Sequence, residues 1–209
     1  MSARLYLVTP GSVRRGSLDA FLGRALEGGV DAVQLRVKEL EARPLLRLAE
    51  VVRRRTAEFG VLFIVNDRVD LAIAAGADGV HLGQEDLPVA AARAQLAGAG
   101  LGGAMIGWST HREAEVRAAG GSGADYIGVG PVYATPTKPG RPAVGLDLVR
   151  FAAAHAALPF FAVGGIDLTT LPRVIEAGAR RVAVVRALTE ADDPGRVARA
   201  MAAMLRSAG

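Results

Sequence analysis

One unit recurs along this chain and restricts its possible folds more than any other feature. Glu27-Gly28-Gly29-Val30-Asp31-Ala32-Val33-Gln34-Leu35 resembles Ala75-Gly76-Ala77-Asp78-Gly79-Val80-His81-Leu82. It also resembles Ser122-Gly123-Ala124-Asp125-Tyr126-Ile127-Gly128 and Ala177-Gly178-Ala179-Arg180-Arg181-Val182-Ala183-Val184-Val185. In each copy a glycine ends an alanine-rich helical stretch, and an apolar strand begins within a few residues. Glycine suits the left-handed position just past a helix end, and short helix-to-strand connections are the rule in alternating folds. Gly29, Gly76 and Gly123 are evenly spaced, so a helix–strand unit is being repeated.

Apolar patterning between the copies completes eight strand segments, at 4–8, 32–36, 62–66, 79–82, 105–109, 126–129, 160–163 and 181–185. Helical stretches follow near 17–27, 42–58, 69–75, 88–96, 112–120, 146–157, 169–177 and 194–207. Ser17 fits a cap on the first helix, Pro44 a first turn, Asp167 or Thr169 a cap on the seventh, and Pro194 the start of the last. Strict alternation implies parallel strands joined by right-handed crossovers. Eight units in 209 residues fit an α/β chain folded as one (β/α)8 TIM barrel domain over 1–209. An open doubly wound sheet is the alternative, because alternation alone does not force closure.

Composition narrows the function classes. Hydrophobic residues make up 51% and 26 residues are glycine, which fits buried strands and tight turns rather than disorder. No apolar run approaches the roughly 18 residues that would span a membrane, and the N-terminus lacks room for a secretion signal. Cysteine is absent, excluding disulfides and a thiol nucleophile. A cytoplasmic protein is expected; the oligomeric state is left open. The net charge of +4 is spread out, and the densest run, Arg53-Arg54-Arg55, falls on an amphipathic helix. That pattern reads as a solvated helix face, not a nucleic-acid patch, and no basic stripe carries stacking aromatics.

In a barrel of this kind, function gathers where strands end and strand-to-helix loops begin. Strand 2 ends Gln34-Leu35-Arg36-Val37-Lys38, and period-two alternation points Gln34, Arg36 and Lys38 one way. Strand 3 ends in Asn66-Asp67-Arg68 and strand 4 in His81-Leu82-Gly83-Gln84-Glu85-Asp86. Asp67 and Asp86 would then share one end of the barrel. Two carboxylates beside Lys and Arg suit Mg²⁺ held jointly with substrate phosphates; two ordinary helix caps are the alternative. On strand 5, Ser109 is a candidate ligand hydroxyl. His111 reads as a cap or packing residue, and His81, within a strand, as a core histidine. Strand 6 ends Gly128-Val129-Gly130-Pro131, where glycines allow close approach and Pro131 would stop the ladder. The loop beyond it carries Thr135, Thr137 and Lys138, two hydroxyls and an ammonium that could converge on an anion, or a plain solvated loop. Gly164-Gly165 after strand 7 and Val185-Arg186 after strand 8 lie where this architecture recurrently binds phosphate.

Taken in order, Gln34-Leu35-Arg36-x-Lys38, Asn66-Asp67-Arg68, His81-Leu82-Gly83-Gln84-x-Asp86, Ile106-Gly107-x-Ser109-x-His111, Gly128-x-Gly130-Pro131-Val132, Thr135-x-Thr137-Lys138 and Gly164-Gly165-Ile166 resemble the thiamine-phosphate synthase family over nearly the whole chain. The resemblance implies a transferase that joins hydroxymethylpyrimidine diphosphate to hydroxyethylthiazole phosphate, releasing diphosphate. It implies that Gln34, Arg36, Lys38, Asn66 and Ser109 hold the pyrimidine diphosphate, with Lys138 on its leaving group, and that Lys138, Ser109 and Arg36 are the catalytic set. It implies Mg²⁺ on Asp67 and Asp86. Thr135, Thr137, Gly165, Val185 and Arg186 would face the thiazole phosphate. Arg186 stands where the family usually has Ser, and Trp108 where a smaller residue is expected. The partners implied are small phosphorylated substrates. The alternatives are a TenI-like thiazole tautomerase, whose relatives carry His at the position of Pro131, and a non-catalytic thiazole-phosphate-binding regulator.

Overall fold

A computed structural model describes residues 2–135 and 142–208. Eight parallel strands pair in sequence order: β1 (Leu5–Thr9), β2 (Ala32–Leu35), β3 (Leu62–Asn66), β4 (Gly79–Leu82), β5 (Met105–Thr110), β6 (Tyr126–Val129), β7 (Phe160–Val163) and β8 (Val182–Val184). β1 also pairs with β8, Leu5 opposite Val182, so the sheet closes into a barrel and the open-sheet alternative is excluded. The helices are α1 (Leu18–Glu27), α2 (Ala42–Phe59), α3 (Val69–Ala74), α4 (Val89–Gly98), α5 (Glu113–Ala118), α6 (Gly145–His155), α7 (Leu171–Glu176), α8 (Arg186–Thr189) and α9 (Pro194–Ser207). α8 is the element the sequence pattern does not announce: four residues are too few to show a helical period.

The repeated glycines do what the repeat requires. Gly29, Gly76, Gly123 and Gly178 all have positive φ, between 59° and 100°, which a side chain would strain. After three of these helix ends the chain closes a six-residue turn: Val30, Ala77 and Ala179 donate N–H to the carbonyls of Ala25, Ala72 and Val174. The caps largely follow expectation. Ser17 accepts from the Ala20 N–H and Asp193, just before Pro194, from Arg196. Asp167 braces the turn before α7, accepting from the N–H groups of Thr169 and Thr170.

Three of the four copies carry an aspartate, and each of these has a structural task at the N-terminal end of the barrel. Asp31 Oδ2 accepts from the Arg4 and Leu5 N–H groups at 2.8 and 2.9 Å. Asp78 accepts from Phe63 N–H and Asp125 from Ile106 N–H, each at 2.7 Å. Each carboxylate thus ties the start of one strand to a neighbour. Arg53 on α2 and Arg93 on α4 add ion pairs to Asp78 and Asp125. The Arg53–Arg55 run is therefore structural: Arg54 and Arg55 both pair with Asp19 of α1.

Strand alternation separates two cores. Leu5, Leu7, Val33, Leu35, Phe63, Val65, Val80 and Leu82 point outward under the helices. Tyr6, Val8, Ala32, Ile64, Tyr126, Phe161 and Ala183 fill the barrel. Trp108 belongs to the outer layer, packed between the main core and the α5–α6 cluster. It lies opposite Leu82 and Ile127 in the register, while its neighbours Gly107 and Ser109 face in. Its side chain is partly buried outside the barrel wall. Among the described residues no helix is long and apolar enough to cross a membrane.

Candidate active site at the C-terminal mouth of the barrel

Above the apolar interior lies a cleft of two joined chambers. The larger, about 280 Å³, is floored by Tyr6, Tyr126 and Phe161 and walled by Gln34, His81, Ser109, Pro131 and Val163. The smaller, about 140 Å³, is polar and contains Lys38, Asp67, Gln84, Glu85 and Asp86. Arg36, Asn66, His81, Ser109 and His111 border both. The strand alternation that aimed Gln34 and Arg36 inward thus places an amide, two cations and two carboxylates around one opening.

In the smaller chamber Asp67 has φ 62°, a left-handed conformation that only short polar side chains such as Asp tolerate well. Its carboxylate is pushed above the usual range, first by burial and then by the adjacent Asp86. Lys38, at 3.4 Å, pulls the other way and does not compensate. Asp86 is fixed by the Gly83 N–H at 2.6 Å. Neither aspartate is a helix cap: Arg68 precedes α3 without a side-chain cap bond, and Pro88 precedes α4. Among the described residues no group of three or more His, Cys, Asp or Glu side chains gathers as an all-protein metal cage. A pair of mutually repelling carboxylates is instead the donor set Mg²⁺ uses when substrate oxygens and water complete its shell.

The larger chamber ends against backbone. The β6–β7 ladder ends at Val129 opposite Ala162, just before Pro131, and beyond the proline Val132 and Tyr133 still donate to the carbonyls of Val163 and Gly164 at 2.8 and 3.0 Å. That close approach explains two glycines. A Cβ on Gly130 would collide with the Val163 carbonyl, and one on Gly164, at φ 106°, would stand 2.6 Å from Pro131. Thr135, Gly165, Val185 and Arg186 line this end, together with Asp167 and Glu190. Arg186 opens α8 and is exposed. Thr137 and Lys138 lie outside the described residues.

Residues that did not stand out in the sequence also face the cleft. Tyr6 and Tyr126 look like strand aromatics, yet both hydroxyls sit at the cavity floor. His81 is hydrogen-bonded inside the barrel, as a core histidine would be, but also borders both chambers. His111 packs as expected, its Nδ1 against the Gly130 carbonyl and its N–H donating to Glu115, and it too borders both. Only period-two alternation, carried down each strand, could have marked Tyr6, His81 and Tyr126 as inward-facing.

A family profile described as thiamine monophosphate synthase matches residues 5–188. The chain belongs to that family. Among thiamine monophosphate synthase relatives, the thiamine-phosphate synthase of Mycolicibacterium vanbaalenii is 50% identical over 218 residues, covering 100% of this chain and 96% of its own. That of Gloeobacter violaceus is 56% identical over 195 residues, 93% of this chain but 55% of the relative, so the chain spans about half of that longer protein. Thiamine phosphate pyrophosphorylase from Pyrococcus furiosus superposes with a TM-score of 0.88 at 30% identity, covering 99% of this chain and 96% of the other.

Proposed function

We propose that this chain condenses 4-amino-2-methyl-5-hydroxymethylpyrimidine diphosphate with hydroxyethylthiazole phosphate, giving thiamine phosphate and diphosphate. The observation that carries this reading is the two-chambered mouth: a polar compartment with paired carboxylates and cations opens directly into an apolar-floored one ending in glycine backbone.

The pyrimidine ring would sit over the Tyr6–Tyr126–Phe161 floor between Gln34 and Ser109, with its diphosphate passing Arg36 and Asn66 towards Lys38. Asp67 and Asp86 would hold Mg²⁺, which when bound supplies charge neutralisation to the diphosphate oxygens. Arg36 and Lys38 add fixed cations there, and Lys138 is assigned to the leaving group. As diphosphate departs, the electron-rich aminopyrimidine bears the positive charge on its exocyclic carbon, and the thiazole nitrogen attacks that carbon. The thiazole phosphate would be anchored at Gly165 and Val185–Arg186, with Thr135 and Thr137 beside the ring. Holding both partners at attack distance removes most of the entropic barrier. A dissociative step of this kind needs charge placement rather than a nucleophile–base pair.

The test is a coupling assay with both substrates, with Mg²⁺ and with a chelator. Thiamine phosphate formed only with Mg²⁺ supports the reading. Folded protein that binds thiazole phosphate without making product would favour a tautomerase or a ligand sensor, and would make Pro131 the residue to explain.

A further inference from the structure

The turn that carries Asp86 is shaped from within and docked from outside by different bonds. Within it, the Gly83 N–H donates to Asp86 Oδ2 at 2.6 Å, and the Gly83 carbonyl accepts from the Asp86 N–H at 3.4 Å. A Cβ on Gly83 would stand 2.7 Å from that same carboxylate oxygen, so glycine lets the aspartate fold back. These bonds shape the turn but do not place it on the barrel. Gln84 does: its Nε2 donates to the Ser109 carbonyl of β5 at 2.6 Å.

Strand geometry shows why that carbonyl needs a donor. Successive residues of a strand turn their N–H and C=O groups to opposite neighbours. The Thr110 carbonyl accepts from the Gly130 N–H on the β6 side, so the Ser109 carbonyl faces β4. The β4–β5 ladder stops at Leu82 opposite Trp108. One further step of a parallel ladder would bring the backbone N–H of residue 84 to the Ser109 carbonyl. The chain turns away instead, and the side chain of the same residue fills the place. Ser109 is buried, so its carbonyl left without a donor would be costly. A carbonyl only accepts, which leaves the Gln84 amide one orientation, nitrogen towards Ser109.

From this geometry we infer that Gln84 is a positioning residue for the paired carboxylates. It docks the Asp86 turn on β5, which sets where Asp86 stands relative to Asp67, and the same bond fixes the backbone of Ser109. Asp67 is tied separately, its N–H donating to the His81 carbonyl at 2.8 Å. Asp67 is thus placed through backbone, and Asp86 through a side chain that can be changed without altering either carboxylate. This inference rests on the function proposed above, in which Asp67 and Asp86 hold Mg²⁺.

The experiment measures equilibrium binding of Mg²⁺ at saturating inorganic diphosphate to wild type and Gln84→Met, which keeps the length and loses the donor. Binding of thiazole phosphate is measured in a separate titration. Gln84→Met should bind the ion about tenfold or more weakly, since partners that orient a metal ligand are worth roughly 10–100-fold in affinity. It should bind thiazole phosphate as wild type does. Excess Mg²⁺ should recover much of its turnover, so the defect lies in the Mg²⁺ half-saturation rather than in kcat. An unchanged Mg²⁺ constant in the folded variant overturns the inference. Equal weakening of both ligands also overturns it, because that marks a general loss of structure. One measurement needs neither variant nor ligand: hydrogen exchange of the Gln84 side-chain amide in metal-free wild type. One protected proton is expected, and two protons exchanging at the free-amide rate would contradict the docking. Wild type that binds the ion yet makes no thiamine phosphate overturns the proposed reaction, while a weaker ion constant in Gln84→Met would still support the positioning role. Wild type that binds no ion with diphosphate overturns both.

Discussion

Carboxylates stand at both ends of this barrel, in opposite circumstances. At the N-terminal end Asp31, Asp78 and Asp125 each accept backbone N–H groups at 2.7 to 2.9 Å, and Arg53 and Arg93 pair with two of them. At the C-terminal end Asp67 and Asp86 face each other, with a lysine at 3.4 Å from Asp67 as the nearby cation. The first set is satisfied by the fold and stabilises it. The second is held against its own repulsion, and in the function proposed above a bound cation would complete it. The same residue type therefore serves the barrel at one end and, in the proposed function, its chemistry at the other, and the difference lies in who supplies the partner.

The largest effect expected from this contrast is on turnover. Asp86→Ala should lower kcat about a hundredfold or more, since outer-shell partners of a metal alone are worth 10–100-fold. Its melting temperature should barely move, because relief of the repulsion on Asp67 offsets the lost Gly83 N–H contact. Normal rates for this variant at low Mg²⁺ would remove Asp86 from the metal site. Asp78→Ala should do the reverse. It strands the Phe63 N–H and Arg53, a loss of about 1–3 kcal/mol or several degrees of melting temperature, while KM values stay as they were. A kinetic defect without a stability change would break the comparison.

Asp67→Asn should sharpen it with a smaller effect of opposite sign. The raised carboxyl of Asp67 favours its neutral form in the folded protein, so its contribution is fully present below the unfolded-state pKa and is lost as pH rises through the elevated folded value. Metal-free wild type should thus lose stability relative to Asp67→Asn across that window, and at neutral pH the inactive variant should melt higher. Asn tolerates the left-handed backbone at this position, and the half-exposed Lys38 pair forfeits little. Equal pH profiles for the two proteins would contradict the repulsion. Smallest of all, Arg186→Ser should weaken thiazole phosphate binding by a few-fold; a shift confined to the pyrimidine substrate would mean that Arg186 is placed at the wrong end of the cleft.

Much of this was legible in the sequence because the signals are local. Glycine after alanine-rich stretches marked the helix ends, and strand patterning placed all eight strands within a residue or two. Gln34, Arg36, Asp67 and Asp86 were legible as polar residues at strand ends, and the structure brings them to one cleft. What escaped depends on closure. The repeat aspartates read as part of a pattern, but their partners sit on a neighbouring strand. Tyr6 and Tyr126 lie 120 residues apart and become partners only when β1 and β6 face each other across the barrel. α8 is too short for periodicity to reveal, and Trp108 is explained only once the outer layer is assembled.

The contrast between the two ends is tested most directly by melting wild type, Asp78→Ala and Asp86→Ala with and without Mg²⁺ plus inorganic diphosphate. Ligand that binds only the folded state raises its melting temperature. Wild type and Asp78→Ala should show the same upward shift, the latter from a lower starting point, and Asp86→Ala should show almost none. Equal shifts in all three proteins would contradict the account, because the paired carboxylates at the mouth would then not be holding the ion.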